Sequence, residues 1–166
     1  MIGKEIYNLC KKLFPLNRSL TGDGNRLTLN ILKKYYKKLS IKEIKSGTKV
    51  YDWKIPMEWN VKEAWIKTPN GNKIADFQKN NLHLVGYSHQ IKKLMNFNSL
   101  KKKLNFLKNQ PKAIPYVTSY YKKNWGFCIS FNEFKKLKKK GTYEINIDSK
   151  FTKGSLTYGE ILIPGK

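Results

Sequence analysis

Two histidines, His83 and His89, and two cysteines, Cys10 and Cys128, are all that this 166-residue chain offers for metal ligation by imidazole or thiolate. A mononuclear zinc site takes three or four ligands, usually His, Cys or carboxylate at recognisable spacing. Six residues apart, the histidines would share a face of one continuous strand, but Gly86 and Tyr87 between them point to a turn. Polar or packing roles are therefore expected for both. No Cys-x-x-Cys, His-Glu-x-x-His or Gly-x-Ser-x-Gly occurs, and Thr21-Gly22-Asp23-Gly24 lacks the following Lys and the flanking strand of a phosphate loop. The eleven carboxylates are scattered. Asp52, Glu58, Glu63 and Asp76 form the densest group, yet spacing alone selects no general acid and base pair, and pairing with lysines is expected. The aromatic cluster Tyr116, Tyr120, Tyr121, Trp125 and Phe127 could stack bases or line a pocket. The favoured reading is a β-domain core with tyrosine hydroxyls at its edge.

The elements that would position these groups follow from periodicity. Ile2, Ile6, Leu9, Cys10, Leu13 and Phe14 make the stripe of an amphipathic helix, with Pro15 placed to stop it. Leu27 to Leu39 resumes a helical period, with Thr21 or Asp23 available as cap. From Ile41 the pattern turns to short extended runs: Ile41 to Lys45, Val50 to Ile55, and Val61 to Lys67, where Ala64 and Ile66 share a face opposite Glu63 and Trp65. Pro69-Asn70-Gly71-Asn72 then supplies a hairpin turn before Ile74 to Phe77. Leu82 to Tyr87 reads as a strand and Leu94 to Leu107 has helical spacing. Phe127 to Phe131, Gly141 to Ile147 and Ser155 to Ile163 look extended, and Glu133 to Lys139 is a short helix.

The net charge is +23, with 34 basic residues against 11 acidic. Such a charge usually suggests a polyanionic partner. Only Arg18 and Arg26 are arginine, however, whereas phosphate and base-edge recognition favours the guanidinium fork. The lysines are read as solvating residues, with a non-catalytic, lysine-rich binding module for nucleic acid or another polyanion as the alternative. Eight Phe, ten Tyr and four Trp argue for a folded chain. No stretch approaches the ~20 apolar residues of a membrane span, and Met1 to Phe14 matches no signal peptide. A soluble cytoplasmic protein is expected, with both cysteines as buried thiols or, as the alternative, a disulfide.

Four segments, LFPLNRSLTGDG at 13–24, SGTKVYDWKIPMEWNV at 46–61, PYVTSYYKKNWGFC at 115–128 and GSLTYGEILIPG at 154–165, resemble in order and spacing the bacterial and archaeal zinc-aminopeptidase-like proteins. In those a zinc-exopeptidase α/β fold is interrupted by an inserted β-rich domain of unknown function. The resemblance implies an α+β chain holding two N-terminal helices and edge strands of the exopeptidase fold (1–49), the inserted domain (50–150), and a return strand (151–166). It also implies that the metal ligands follow the return strand. Zinc is then expected in the longer parent and not on this segment, which is expected to be non-catalytic by itself. The implied partner is a peptide or amide substrate, with Arg18, Tyr120, Tyr121 and Trp125 as candidates for the substrate opening.

Overall fold

The computed structural model describes residues 2–165. Met1 and Lys166, the outermost residues of the expected first and last segments, lie outside the described residues. In chain order the elements are α1 (Ile2–Leu13), α2 (Asp23–Tyr35), β1 (Ser40–Lys45), β2 (Lys49–Val50), β3 (Trp53–Lys54), β4 (Glu58–Lys67), β5 (Lys73–Ile74), a 3-10 turn (Asn81–His83), β6 (Ile91–Asn96), α3 (Phe97–Lys101), β7 (Leu104–Asn105), β8 (Phe127–Cys128), α4 (Phe131–Lys135), β9 (Thr142–Thr152) and β10 (Ser155–Glu160). This is a mixed α+β chain, as expected. It forms two compact units, residues 1–60 with 151–166, and Val61–Lys150.

In the first unit, α1 follows its apolar stripe, with Glu5 in the first turn and Lys11 and Lys12 in the last, each opposing the local end of the helix dipole. Only Leu13 of that helix is buried. Cys10 is exposed, contrary to the expected buried thiol, because the face that carries it has no cover among the described residues of its unit. Helix α2 opens earlier than its apolar period indicated, and neither Thr21 nor Asp23 caps it. The N-cap is Gly22, at φ 99°, where a Cβ would lie 2.6 Å from the Trp59 carbonyl oxygen. With the 57–60 segment this close, the capping acceptor comes from a distance: Asn60 Oδ1 takes the Asp23 N–H at 2.9 Å. The Thr21 hydroxyl instead donates to the Met57 carbonyl and accepts the Trp59 N–H, each at 3.3 Å. Strands β1 and β10 pair antiparallel from Ser40 with Glu160 to Lys45 with Ser155. The expected strand from Val50 to Ile55 is a tight β2–β3 hairpin, turning at Tyr51, whose φ is 51°.

The second unit is built on the sheet β5-β4-β9-β6. Residues Ala64 and Ile66 of β4 and Tyr143, Ile145 and Ile147 of β9 are fully buried. Each large apolar side chain so buried contributes ~1.5–3 kcal/mol. On the opposite face of β4 Trp65 carries the Lys73 ammonium 5.1 Å from its ring centre. The Pro69 to Asn72 turn forms as expected, with Thr68 N–H donating to Asn72 O at 2.9 Å. Two expectations fail here. The 94–107 stretch is not one helix but β6, α3 and β7 in succession, since the antiparallel ladder of β6 on β9 outweighs helical spacing and leaves Leu94 65% exposed. The 82–87 stretch is not a strand: it begins in the 3-10 turn, and its backbone bonds reach residues 117 and 126 one at a time. Helix α4 starts at Phe131, two residues before the expected start, where Ser130 and Glu133 form a reciprocal capping box.

Candidate functional site

The aromatic residues singled out by sequence lie in the 115–126 loop of the second unit, and Gly86 fixes that loop. Gly86 N–H donates to Val117 O at 2.8 Å, and Gly86 O accepts the Ser119 N–H at 3.1 Å. A Cβ on Gly86 would meet Thr118 Oγ1 at 2.6 Å, so only glycine permits this approach. The far end of the loop is tied by His89, whose backbone N–H and Nδ1 both reach the Asn124 carbonyl, at 3.0 and 2.7 Å. Ser88 Oγ accepts the Gly126 N–H at 3.2 Å and donates to Val85 O at 2.6 Å.

On this backing Trp125 is buried, with the Lys103 ammonium 5.2 Å from its ring centre. Lys103 also donates to Asn124 Oδ1 at 3.1 Å. Tyr87, at φ 62° and buried, meets Tyr120 edge-on at 5.1 Å, and Tyr120 meets Tyr121 edge-on at 6.4 Å. Tyr116 and Tyr121 stand 68% and 64% exposed. The structure thus brings Tyr120, Tyr121 and Trp125 into one loop but gives them different parts: Trp125 belongs to the core, and the tyrosines present rings to solvent. Arg18 lies in the other compact unit, is exposed, and makes no ion pair among the described residues.

The potentially reactive groups nearby are structural. His83 is buried and its Nδ1 lies 2.8 Å from the Cys128 carbonyl oxygen, so this nitrogen carries the proton and donates. Its partner is the backbone of Cys128, and no thiolate–imidazole pair results. Burial pushes the Cys128 thiol up to about 11, only partly opposed by a backbone hydrogen bond from Val117. A thiol held protonated at neutral pH is a poor nucleophile. Both histidines therefore have the polar, structural roles expected of them. Among the described residues no group of three or more His, Cys, Asp or Glu side chains is placed to hold a metal ion.

The first unit carries one centre that sequence reasoning missed. Arg26 grips Glu58 with both guanidinium ends, Nη1 to Oε1 at 2.6 Å and Nη2 to Oε2 at 2.7 Å, while Nη2 also reaches Asp23 Oδ1 at 2.6 Å. Glu58 Oε1 accepts the Ser155 N–H at 2.7 Å, and Gly154 leaves the room that this carboxylate occupies. Arg26 holds the Glu58 carboxyl below the usual carboxylate range despite its burial, and Glu58 in turn raises Arg26. The expectation that carboxylates pair with lysines fails at this residue, because a buried carboxylate needs the two-pronged partner that lysine cannot offer. The scarcity of arginine was the available signal: of two in the chain, Arg26 stands one residue before the helical period that resumes at Leu27. Residues 21–26, 58–60 and 154–157 meet here, with Asn25 Nδ2 donating to Thr157 O at 2.6 Å.

Fold and site together define an α+β chain with an ion-paired centre in one unit and a glycine-backed tyrosine loop in a β-rich second unit. Residues 58–150 match the family described as a domain of unknown function, DUF2172, and the chain belongs to that family. Over 164 residues the chain is 48% identical to a Clostridium acetobutylicum protein named "Putative polysaccharide biosynthesis protein with aminopeptidase-like domain". The match takes in 99% of this chain and 37% of that protein. A crystal structure from the same organism, titled as that of a "putative peptidase", superposes with a TM-score of 0.89 at 48% identity, over 95% of this chain and 37% of that one. The chain thus spans about 37% of the length of the relatives it matches. No helix among the described residues is long and apolar enough to cross a membrane.

Proposed function

We propose that this chain is the N-terminal part of an aminopeptidase-like hydrolase that cleaves peptide or amide bonds, and that the chain alone does not catalyse. In this reading the first unit contributes helices and edge strands to the hydrolase domain. Residues 61–150 form an inserted domain whose tyrosine loop guides substrate. The observation that carries the reading is the likeness along nearly the whole chain to a relative bearing an aminopeptidase-like domain. The chemistry of the described residues is consistent with it, since the tyrosine loop offers contact surface and no activated nucleophile or base.

The zinc implied by the family resemblance does not fit the residues present, for want of a grouped set of donors. No step is therefore derived through it, and zinc belongs in this proposal to the longer parent. A cytoplasmic location and a solvating role for the lysines are part of the same proposal. The test sets residues 1–166 beside the entire polypeptide that the gene encodes, on a panel of aminoacyl amides and short peptides. Hydrolysis by the entire polypeptide, with none above the blank from 1–166, is expected. Turnover by 1–166 overturns the assignment. Replacing Tyr121 with Ala in the entire polypeptide should raise KM more than it lowers kcat; unchanged kinetics would remove the tyrosine loop from the proposal.

A further inference from the structure

The second unit has a cavity of about 220 Å³ apart from the tyrosine loop. It lies between the Thr68 to Asn72 hairpin turn and the chain leaving α4. Two contacts hold its walls together: Lys138 Nζ donates to Asn70 Oδ1 at 3.0 Å, and Gly141, at φ 99°, brings its backbone so close to Pro69 that a Cβ would sit 2.7 Å from the ring. The floor is apolar, made of Ile74, Leu137 and the ring of Tyr143, whose hydroxyl is turned to the Lys138 carbonyl at 2.8 Å. The rim carries both signs of charge. Glu133 of α4 and Lys136, the residue that caps its C-terminal end, both line the cavity. Glu133 spends Oε2 on its capping box, and Lys136 makes no ion pair among the described residues. The Thr68 hydroxyl, on the same wall, is buried without a hydrogen-bond partner.

We propose that this cavity binds a free apolar α-amino acid. Its volume falls below the ~300–1,000 Å³ of pockets for drug-sized ligands, which fits a group the size of one residue. The apolar floor takes the side chain. The two charges of the zwitterion meet the rim, α-carboxylate to Lys136 and α-ammonium to Glu133 Oε1. A purely apolar ligand would make no use of the rim charges, and Lys138, the other cation of the lining, is held to Asn70. The proposal is independent of whether the parent hydrolyses peptides, because the cavity lies wholly within residues 68–143.

The test is amide chemical-shift mapping on the 166-residue chain with L-leucine, N-acetyl-L-leucine, L-leucinamide and L-glutamate as probes at millimolar concentration. Saturable shifts confined to residues 68–74 and 133–143, strongest with L-leucine and reduced when either charge is masked, are expected. Lys136→Gln, at an exposed position, should leave the unfolding midpoint unchanged and weaken leucine binding by about tenfold, the effect of losing one charge-assisted contact. Absence of shifts with L-leucine, equal shifts from all four probes, or unaltered leucine binding by the Lys136→Gln chain would each overturn the proposal.

Discussion

Replacing Glu58 tests whether the first unit is held by the Arg26 centre. In Glu58→Gln the side chain keeps its shape and can still accept the Ser155 N–H, but it loses its charge and one arm of the grip on Arg26. A hydrogen bond to a charged group is worth ~1.5–3 kcal/mol. Arg26 retains Asp23 and is 30% exposed, so its guanidinium can rehydrate, which holds the expected loss to ~1.5–3 kcal/mol. Glu58→Ala removes the Ser155 acceptor as well and strands the guanidinium, and ~3–5 kcal/mol follows from breaking a buried pair at one partner. Because the chain has two compact units, a single denaturation midpoint can mix two transitions. Native-state amide exchange at Ser46, whose N–H donates to the Gly154 carbonyl at 2.8 Å at the end of the β1–β10 ladder, reads the local opening directly. Glu58→Gln should speed exchange there by ~10–100-fold, at about tenfold per 1.4 kcal/mol. The carboxyl is held below its unfolded value, so its contribution is fully present above about pH 4.3 and is lost as pH falls through the folded value. The wild-type advantage over Glu58→Gln should shrink accordingly on acidification. Exchange within the ±0.5 kcal/mol of an ordinary surface substitution, or an advantage insensitive to acid, refutes the reasoning.

Gly86→Ala should destabilise the tyrosine loop by ~1–3 kcal/mol, because the new methyl meets Thr118 Oγ1 at 2.6 Å; exchange at Ser119 checks it, and protection equal to wild type counts against it. In the folded chain a thiol reagent should modify Cys10 promptly and Cys128 only after denaturation, given an exposed thiol and a buried one pushed up to about 11. Peptide mapping of the labelled protein distinguishes the two, and prompt labelling of Cys128 contradicts its placement. His83→Phe should destabilise the second unit by ~1–3 kcal/mol through loss of the donor to the Cys128 carbonyl, and native-state amide exchange at Ile145 of β9 measures it.

The sequence was most informative where structure is local. The first helix, the Pro69 to Asn72 turn and the alternation along β4 follow from nearest-neighbour periodicity. It was least informative where the partner lies far along the chain. Asn60 caps a helix that begins at Asp23, and nothing near residue 23 announces it. Residues 82–87 have strand-like composition, but their partners arrive from 117, 126 and 127, so they bend to meet several segments instead of extending along one. Leu94 to Leu107 shows helical spacing that the β9 ladder overrides. Of the proposed site, the tyrosine loop was visible as an aromatic run. That Trp125 would be buried and the tyrosines exposed depended on Gly86, a residue read only as a turn signal. Arg26 and Glu58 stand 32 residues apart, and only folding makes them a pair.

The proposal that this chain is one part of a larger aminopeptidase-like hydrolase can be tested on the gene itself. Sequencing the gene or its transcript beyond codon 166 tests it most directly. An open frame continuing into a segment with His, Asp and Glu residues at metal-ligand spacing is expected. An authentic stop codon directly after Lys166 would contradict it and leave a non-catalytic module.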